Sequence, residues 1–166
     1  MLSLILAATI LGQSAVYFSP PAIGQTMRAE EVIISEIKGA KRSVIVQAYS
    51  FTSIPITDAL IAKAKEGKYI EIIIDDSAVK TPATQRLLKA DIVVWVDKKH
   101  AIAHNKIIII DNELGDQTTT ISGSYNFSEA ASKRNAENIR VVHRDPLGSA
   151  YTANWWQHKK HSQLLR

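Results

Sequence analysis

The chain has 166 residues, 46% of them hydrophobic and 22% charged, an ordinary globular composition that supports one domain with a sizeable core. Its 20 Lys and Arg against 16 Asp and Glu leave a formal net charge of +4, which favours a polyanionic partner. Cysteine is absent, so disulfides, thiol nucleophiles and cysteine-rich zinc sites are excluded and the redox compartment stays open.

Residues 1–14, MLSLILAATILGQS, contain no charged side chain and are dominated by Leu, Ile and Ala. The run is short for a bilayer span. Its small-residue end at Ser14-Ala15 matches a secretory leader, although the usual basic start is missing. A leader predicts a periplasmic or secreted protein; an uncleaved apolar arm, packed on the domain or holding it at a membrane, is the alternative. Residues 15–166 then form the functional domain.

Strand and helix patterns alternate from there. Helical spacing of Val32, Ile33, Ile37 and Ala40 predicts a helix over 27–39, and Val44 to Phe51 reads as a buried strand. Pro55 suits a first helical turn, Thr57 to Glu66 repeats the helical pattern, and Gly67 ends it. A strand at Tyr69–Asp75, a short helix at Ala83–Lys89 and a strand at Ile92–Val96 follow. The second half adds strands at 107–110, 118–122 and 138–143, a helical turn at 128–134 and a last amphipathic helix from Pro146 to about Ser162. This alternation predicts an α/β fold, a mixed β-sheet sandwiched between helices.

Chemistry concentrates between His104 and Glu137. His104 and Lys106 lie two apart on a strand continued by Ile107 to Ile110, so they share one face. Buried without partners, each would cost several kcal/mol, on the order expected for unpaired polar groups, and a shared anion site explains both. Asp111 closes the strand on the opposite parity and reads as structural. Gly123-Ser124-x-Asn126 follows the next strand: Ser124 and Asn126 share a face, and Gly123 permits a close backbone approach to a ligand.

His104, Lys106 and Asp111 followed by Gly123, Ser124 and Asn126 resemble the HKD motif of the phospholipase D superfamily, in the form of its small bacterial endonucleases with one motif per chain. The similarity runs from Val16-Tyr17-Phe18-Ser19-Pro20 through Ala48-Tyr49-Ser50-Phe51-Thr52 to the end of the chain. One departure is the stretch Asn112 to Ser122, eleven residues between Asp111 and Gly123, longer than the family's usual connection and implying a longer hairpin. The resemblance implies a metal-independent phosphodiesterase with no cofactor. His104 would be the nucleophile, Lys106, Ser124 and Asn126 the phosphate pocket, and Glu137 the carboxylate orienting the imidazole. Asp111 and Gly123 would support the motif. It also implies a homodimer in which two copies of the motif form one site, with nucleic acid, DNA or RNA, as substrate. No stable membrane partner is expected unless the N-terminal segment is retained.

Two rivals are weighed against this reading. A phospholipase acting on phosphatidyl headgroups uses the same chemistry, and a non-catalytic nucleic-acid-binding module would use His104 and Lys106 only to grip phosphate. Other features carry simpler readings. Asp75-Asp76 at a strand end suits a turn better than a divalent ion, and Trp155-Trp156 in a last helix suit the core better than base stacking. His158-x-x-His161 and His100-x-x-x-His104 have zinc-like spacings but show no third ligand along the sequence. Lys98, Lys99, Lys133 and Arg134 flank the motif either as a phosphate-tracking rim or as ordinary surface charge.

Overall fold

The computed structural model describes residues 12–166, so residues 1–11 of the expected leader lie outside the described residues. Ser14 and Ala15, where that leader would end, are the first two residues of strand β1 (Ser14–Ser19). The elements that follow are α1 (Ala29–Gly39), β2 (Ser43–Ala48), α2 (Ile54–Lys65), β3 (Tyr69–Asp75), α3 (Pro82–Lys89) and β4 (Val93–Asp97). The second half comprises β5 (Lys106–Ile110), β6 (Thr119–Gly123), α4 (Glu129–Lys133), β7 (Glu137–Val142), α5 (Gly148–Lys159) and β8 (Gln163–Leu165). The eight strands form one sheet in the order β1-β7-β6-β5-β2-β3-β4-β8. Only β2, β3 and β4 run parallel to their neighbours among themselves; every other pairing is antiparallel. This is the mixed sheet between helices that the alternation predicts.

The sheet is apolar on both faces, which explains why its central strands read as continuous hydrophobic runs rather than as alternations. Val44, Val46, Ile72, Ile74, Ile108 and Ile110 pack in one large cluster with Ile33, Ile37, Ile56, Leu60 and Leu87 of α1, α2 and α3. Each such side chain contributes about 1.5–3 kcal/mol on burial. On the opposite face Ile45, Ile73 and Ile109 meet Trp155 of α5. Trp155 is fully buried and its indole Nε1 donates to Val46 O at 2.9 Å. Lys159, one turn further on, lies 4.6–5.5 Å from the ring centres of Trp95, Trp155 and Trp156 and pairs with the buried Glu71 at 2.6 Å. The tryptophan pair is thus divided: Trp155 is core, while Trp156 is partly exposed.

Three differences from the sequence reading have local causes. Helix α2 starts at Ile54, because Ser53 caps it by accepting from Ile56 N at 3.2 Å. The long connection after Asp111 is a kinked 3-10 helix at Asn112–Gln117 with Gly115 at φ 56°, not a simple extended hairpin. Strand β8 has no counterpart in the sequence pattern: three residues without alternation carry no periodic signal, and it exists because β4 offers an edge, with Val94 opposite Leu165.

Candidate active site

The motif residues gather at one end of the sheet. Parallel strands β2, β3 and β4 present their carboxyl ends there, and the antiparallel β5 and β7 enter from it while β6 leaves toward it. Ala48 of β2 pairs with Lys106 of β5, and Ile107 pairs with Ser122, so Lys106 lies alongside Gly123. Sheet register therefore joins the His-x-Lys segment to the Gly-Ser-x-Asn segment.

His104 stands just ahead of β5 on a stretch tied down by both neighbours. Asn105 O accepts from Tyr49 N at 2.9 Å, and Ala103 N donates to Asp75 Oδ2 at 2.7 Å. The Tyr49 ring lies 4.5 Å from the imidazole, tilted by 52°. Lys106 folds back on the same residue: its Nζ is 3.2 Å from His104 Nδ1 and donates to His104 O at 2.8 Å. Only 9% of Lys106 is exposed. Burial pushes its pKa down, and the field of the Glu137 carboxylate pushes it partly back up. A cation so placed has shed much of its water and is ready to take an anion.

The second segment is held as firmly. Gly123 is required by its neighbour strand, since a Cβ there would collide with Asn138 O. The close approach that the sequence suggested for a ligand is made to the Asn138 backbone. Asn138 O also accepts from Ser124 N at 3.1 Å and Tyr125 N at 3.3 Å. Ser124 Oγ donates to Glu137 Oε2 at 2.6 Å, and Asn135 Nδ2 donates to the other oxygen, Oε1, at 3.0 Å. Beyond Asn126, Phe127 O accepts from Thr52 N and Ser53 N, each at 2.9 Å, so the loop is clamped to the start of α2. The Asn126 side chain carries a buried Oδ1 that lacks a hydrogen-bond partner among the described residues. An unsatisfied amide is costly in a resting protein and is suited to a ligand that completes it.

His104, Lys106, Ser124 and Glu137 thus meet at one end of the sheet, with Asn126 beside them. Asp111 does not join them. It follows Ile110 at the far end of β5, five residues from Lys106 and about 17 Å away at strand rise. It adopts a left-handed conformation, φ 55° and ψ 42°, and its carboxylate accepts from Lys41 N, Arg42 N and Ser43 N at 2.7–3.1 Å. The three letters of the motif therefore divide into a pair at one end of the sheet and a clamp at the other.

Two supporting residues carried weaker sequence signals. Tyr49 follows the last residue of β2, and Asp75 ends β3; both positions are strand termini at the site's end of the sheet. Asp75 also accepts from Ser77 N at 3.0 Å, so it is a turn former that holds the approach to His104. Lys98 pairs with Asp76 at 3.5 Å and Lys133 with Glu129 at 2.9 Å, both exposed pairs that read as ordinary surface charge. His100 does not accompany His104; its ring turns to Asp97, together with His158 and His161.

A sequence model of the cardiolipin synthase phospholipase D-like domain matches residues 33–159. Phospholipase D of Rickettsia felis is 39% identical over 144 residues, which span 86% of this chain and 67% of the relative. Among solved structures, Nuc from Salmonella typhimurium, a phospholipase D family member, superposes with a TM-score of 0.81 at 30% identity, covering 93% of this chain and 99% of that one. NucT from Helicobacter pylori superposes at 0.76 with 21% identity over 91% and 98% of the two chains, a likeness of fold.

Proposed function

Since the chain belongs to the phospholipase D superfamily of hydrolases, we propose that it is a phosphodiesterase that cleaves nucleic acid through a covalent phosphohistidine at His104. The observation that carries the reading is the desolvated Lys106 ammonium held against the His104 imidazole at the open end of an otherwise apolar strand. The imidazole attacks phosphorus, the bond to the leaving oxygen breaks, and a second imidazole delivers the proton to that oxygen. Water, deprotonated by the same second imidazole, then displaces His104 and releases the phosphate end. Lys106 and Asn126 stabilise the charge on the non-bridging oxygens, with Ser124 supporting them. The resemblance assigns Glu137 to orienting the imidazole, but here its two oxygens accept from Ser124 Oγ and Asn135 Nδ2, and the group at His104 Nδ1 is Lys106 Nζ. Those two bonds make Glu137 the link between that loop and Lys106. No step needs a metal at this site.

A second copy of the chain is the source this reading requires for the second imidazole. The chain has 5 histidines: His100, His158 and His161 converge on Asp97, and His143 contacts Thr119 and Glu36. That distribution supports a twofold homodimer in which His104 and Lys106 of two chains complete one site across the axis. Mixing wild-type subunits with increasing His104→Ala subunits, under demonstrated exchange, should lower activity as the square of the wild-type fraction. A linear fall would mean that each chain works alone.

The substrate is argued from charge and size: a net charge of +4 and a compact chain with no long insertion favour a polyanion. Hydrolysis of phospholipid headgroups is the second reading, favoured by the name of the rickettsial relative at 39% identity. Among the described residues no helix is long and apolar enough to cross a membrane; the apolar residues 1–14 support export of the domain. Incubating the purified protein with plasmid DNA, RNA and phosphatidyl lipids decides between substrates. We expect nucleic acid to be cut, and rapid quenching in alkaline denaturant, where a phosphohistidine is stable, to trap label on His104. Turnover of lipid alone would overturn the substrate, and label on another residue would overturn the nucleophile.

A further inference from the structure

A second cluster of ligating side chains lies outside the phosphate site and is not used by the chemistry above. Asp97 ends β4, His100 begins the connection to His104, and His158 and His161 flank the end of α5. Asp97 Oδ2 is approached by His158 Nδ1 and His100 Nδ1 at 2.9 Å each and by His161 Nε2 at 3.2 Å. The three rings form a nearly equilateral triangle, with centroids 5.1, 5.2 and 5.2 Å apart and none of them parallel-stacked. The Asp97 side chain is 0% exposed, and His158 and His161 are largely covered.

Hydrogen bonding alone accounts poorly for this arrangement. A carboxylate oxygen offers about two lone-pair sites, yet three ring nitrogens crowd onto this one. The other oxygen, Oδ1, is already occupied by Lys99 N at 3.0 Å. All four ligand atoms lie within 4.8 Å of one another. Four ligands at about 2.1 Å from a tetrahedral cation are separated by about 3.4 Å, a value that falls between the 2.9 Å approaches and the 4.8 Å limit. Small side-chain rotations would bring all four atoms onto one ion. Three imidazoles and one carboxylate, without thiolate, form a borderline nitrogen-rich set suited to zinc.

We propose that Asp97, His100, His158 and His161 bind one zinc ion as a closed, four-ligand structural site. Its effect follows from where the ligands come from. His100 stands four residues before His104, on a connection whose far end is fixed by Ala103 N to Asp75. The ion pins the near end of that connection to β4 and to the junction of α5 with β8. It therefore braces the segment that presents His104 while taking no part in phosphoryl transfer, since all four positions around it are filled by protein.

The test uses the full chain without an affinity tag, stripped by a chelator and returned to metal-free buffer. Titrated with zinc, it should bind one equivalent per chain and unfold at a higher temperature. Cobalt in its place should give the intense visible bands of a four-coordinate ion. His158→Gln and His161→Gln should each weaken zinc binding by more than about 100-fold, beyond what loss of an outer-sphere partner produces. His143→Gln should leave it unchanged. Ring-nitrogen resonances of wild-type protein keep the test independent of variant folding: zinc should shift those of His100, His158 and His161 and spare His143. Absence of a stoichiometric site, equal loss in His143→Gln, or shifts at His143 in place of those at His100, His158 and His161 would overturn the proposal.

Discussion

Replacing Asp111 tests the division of the motif into a reacting pair and a distant clamp. The Asp111 carboxylate accepts from three backbone amides, those of Lys41, Arg42 and Ser43, within 3.1 Å. A hydrogen bond to a charged group contributes about 1.5–3 kcal/mol. Three would sum to about 4.5–9 kcal/mol, but bonds sharing one acceptor are not additive. The Lys41 and Arg42 bonds are also only part-buried, so water recovers some of the loss. Asp111→Ala should cost about 3–5 kcal/mol, including about 1 kcal/mol for placing alanine at a left-handed position. Asp111→Asn, which keeps one acceptor oxygen and tolerates that backbone, should cost about 1–3 kcal/mol. Urea unfolding followed by circular dichroism measures this as a lowered midpoint at unchanged slope. The Asn variant, assayed well below its midpoint, should retain turnover within a few-fold. A loss below about 1 kcal/mol in the Ala variant, or a folded Asn variant as inactive as His104→Ala, would refute the reasoning.

Trp155→Ala should cost about 3–5 kcal/mol, because it empties the α5 face of the core and removes the indole hydrogen bond to Val46 O. Trp155→Phe should cost less, and equal midpoints for the two variants would contradict that account. Gly123→Ala should lower both stability and turnover, since its Cβ meets strand backbone that cannot rotate away and displaces Ser124; an unchanged melting temperature would show that the strands separate freely. Burial lowers the Lys106 pKa, so affinity for inorganic phosphate should fall as pH rises through a value below that of an exposed lysine, about 10.4. Titration calorimetry across pH measures this limb, and Lys106→Arg should move it out of range; a limb indifferent to that change would belong to another group. Without phosphate the sign reverses. Between the lowered and ordinary values the unfolded chain holds more protons at Lys106, so its contribution to stability rises with pH.

Much of this protein was legible along the chain because its signals are local. Isoleucine and valine runs marked β2, β3 and β5, and their length placed them between helices rather than at a surface. The spacing of His104 and Lys106 put both on one strand face, and the parity of Asp111 set it apart; its carboxylate accepts from the amides of residues 41–43. What local pattern left undecided depends on the order of strands in the sheet. Gly123 reads as room for a ligand until β7 is laid beside β6, when the Asn138 carbonyl fills that room. His158 and His161 carry a zinc-like spacing with no visible partner until β8 pairs with β4 and brings the end of α5 over Asp97, 61 residues earlier than His158. Periodicities of two and 3.6 record which face of an element is buried; which element covers that face is a choice among long-range pairings, and only the folded chain makes it.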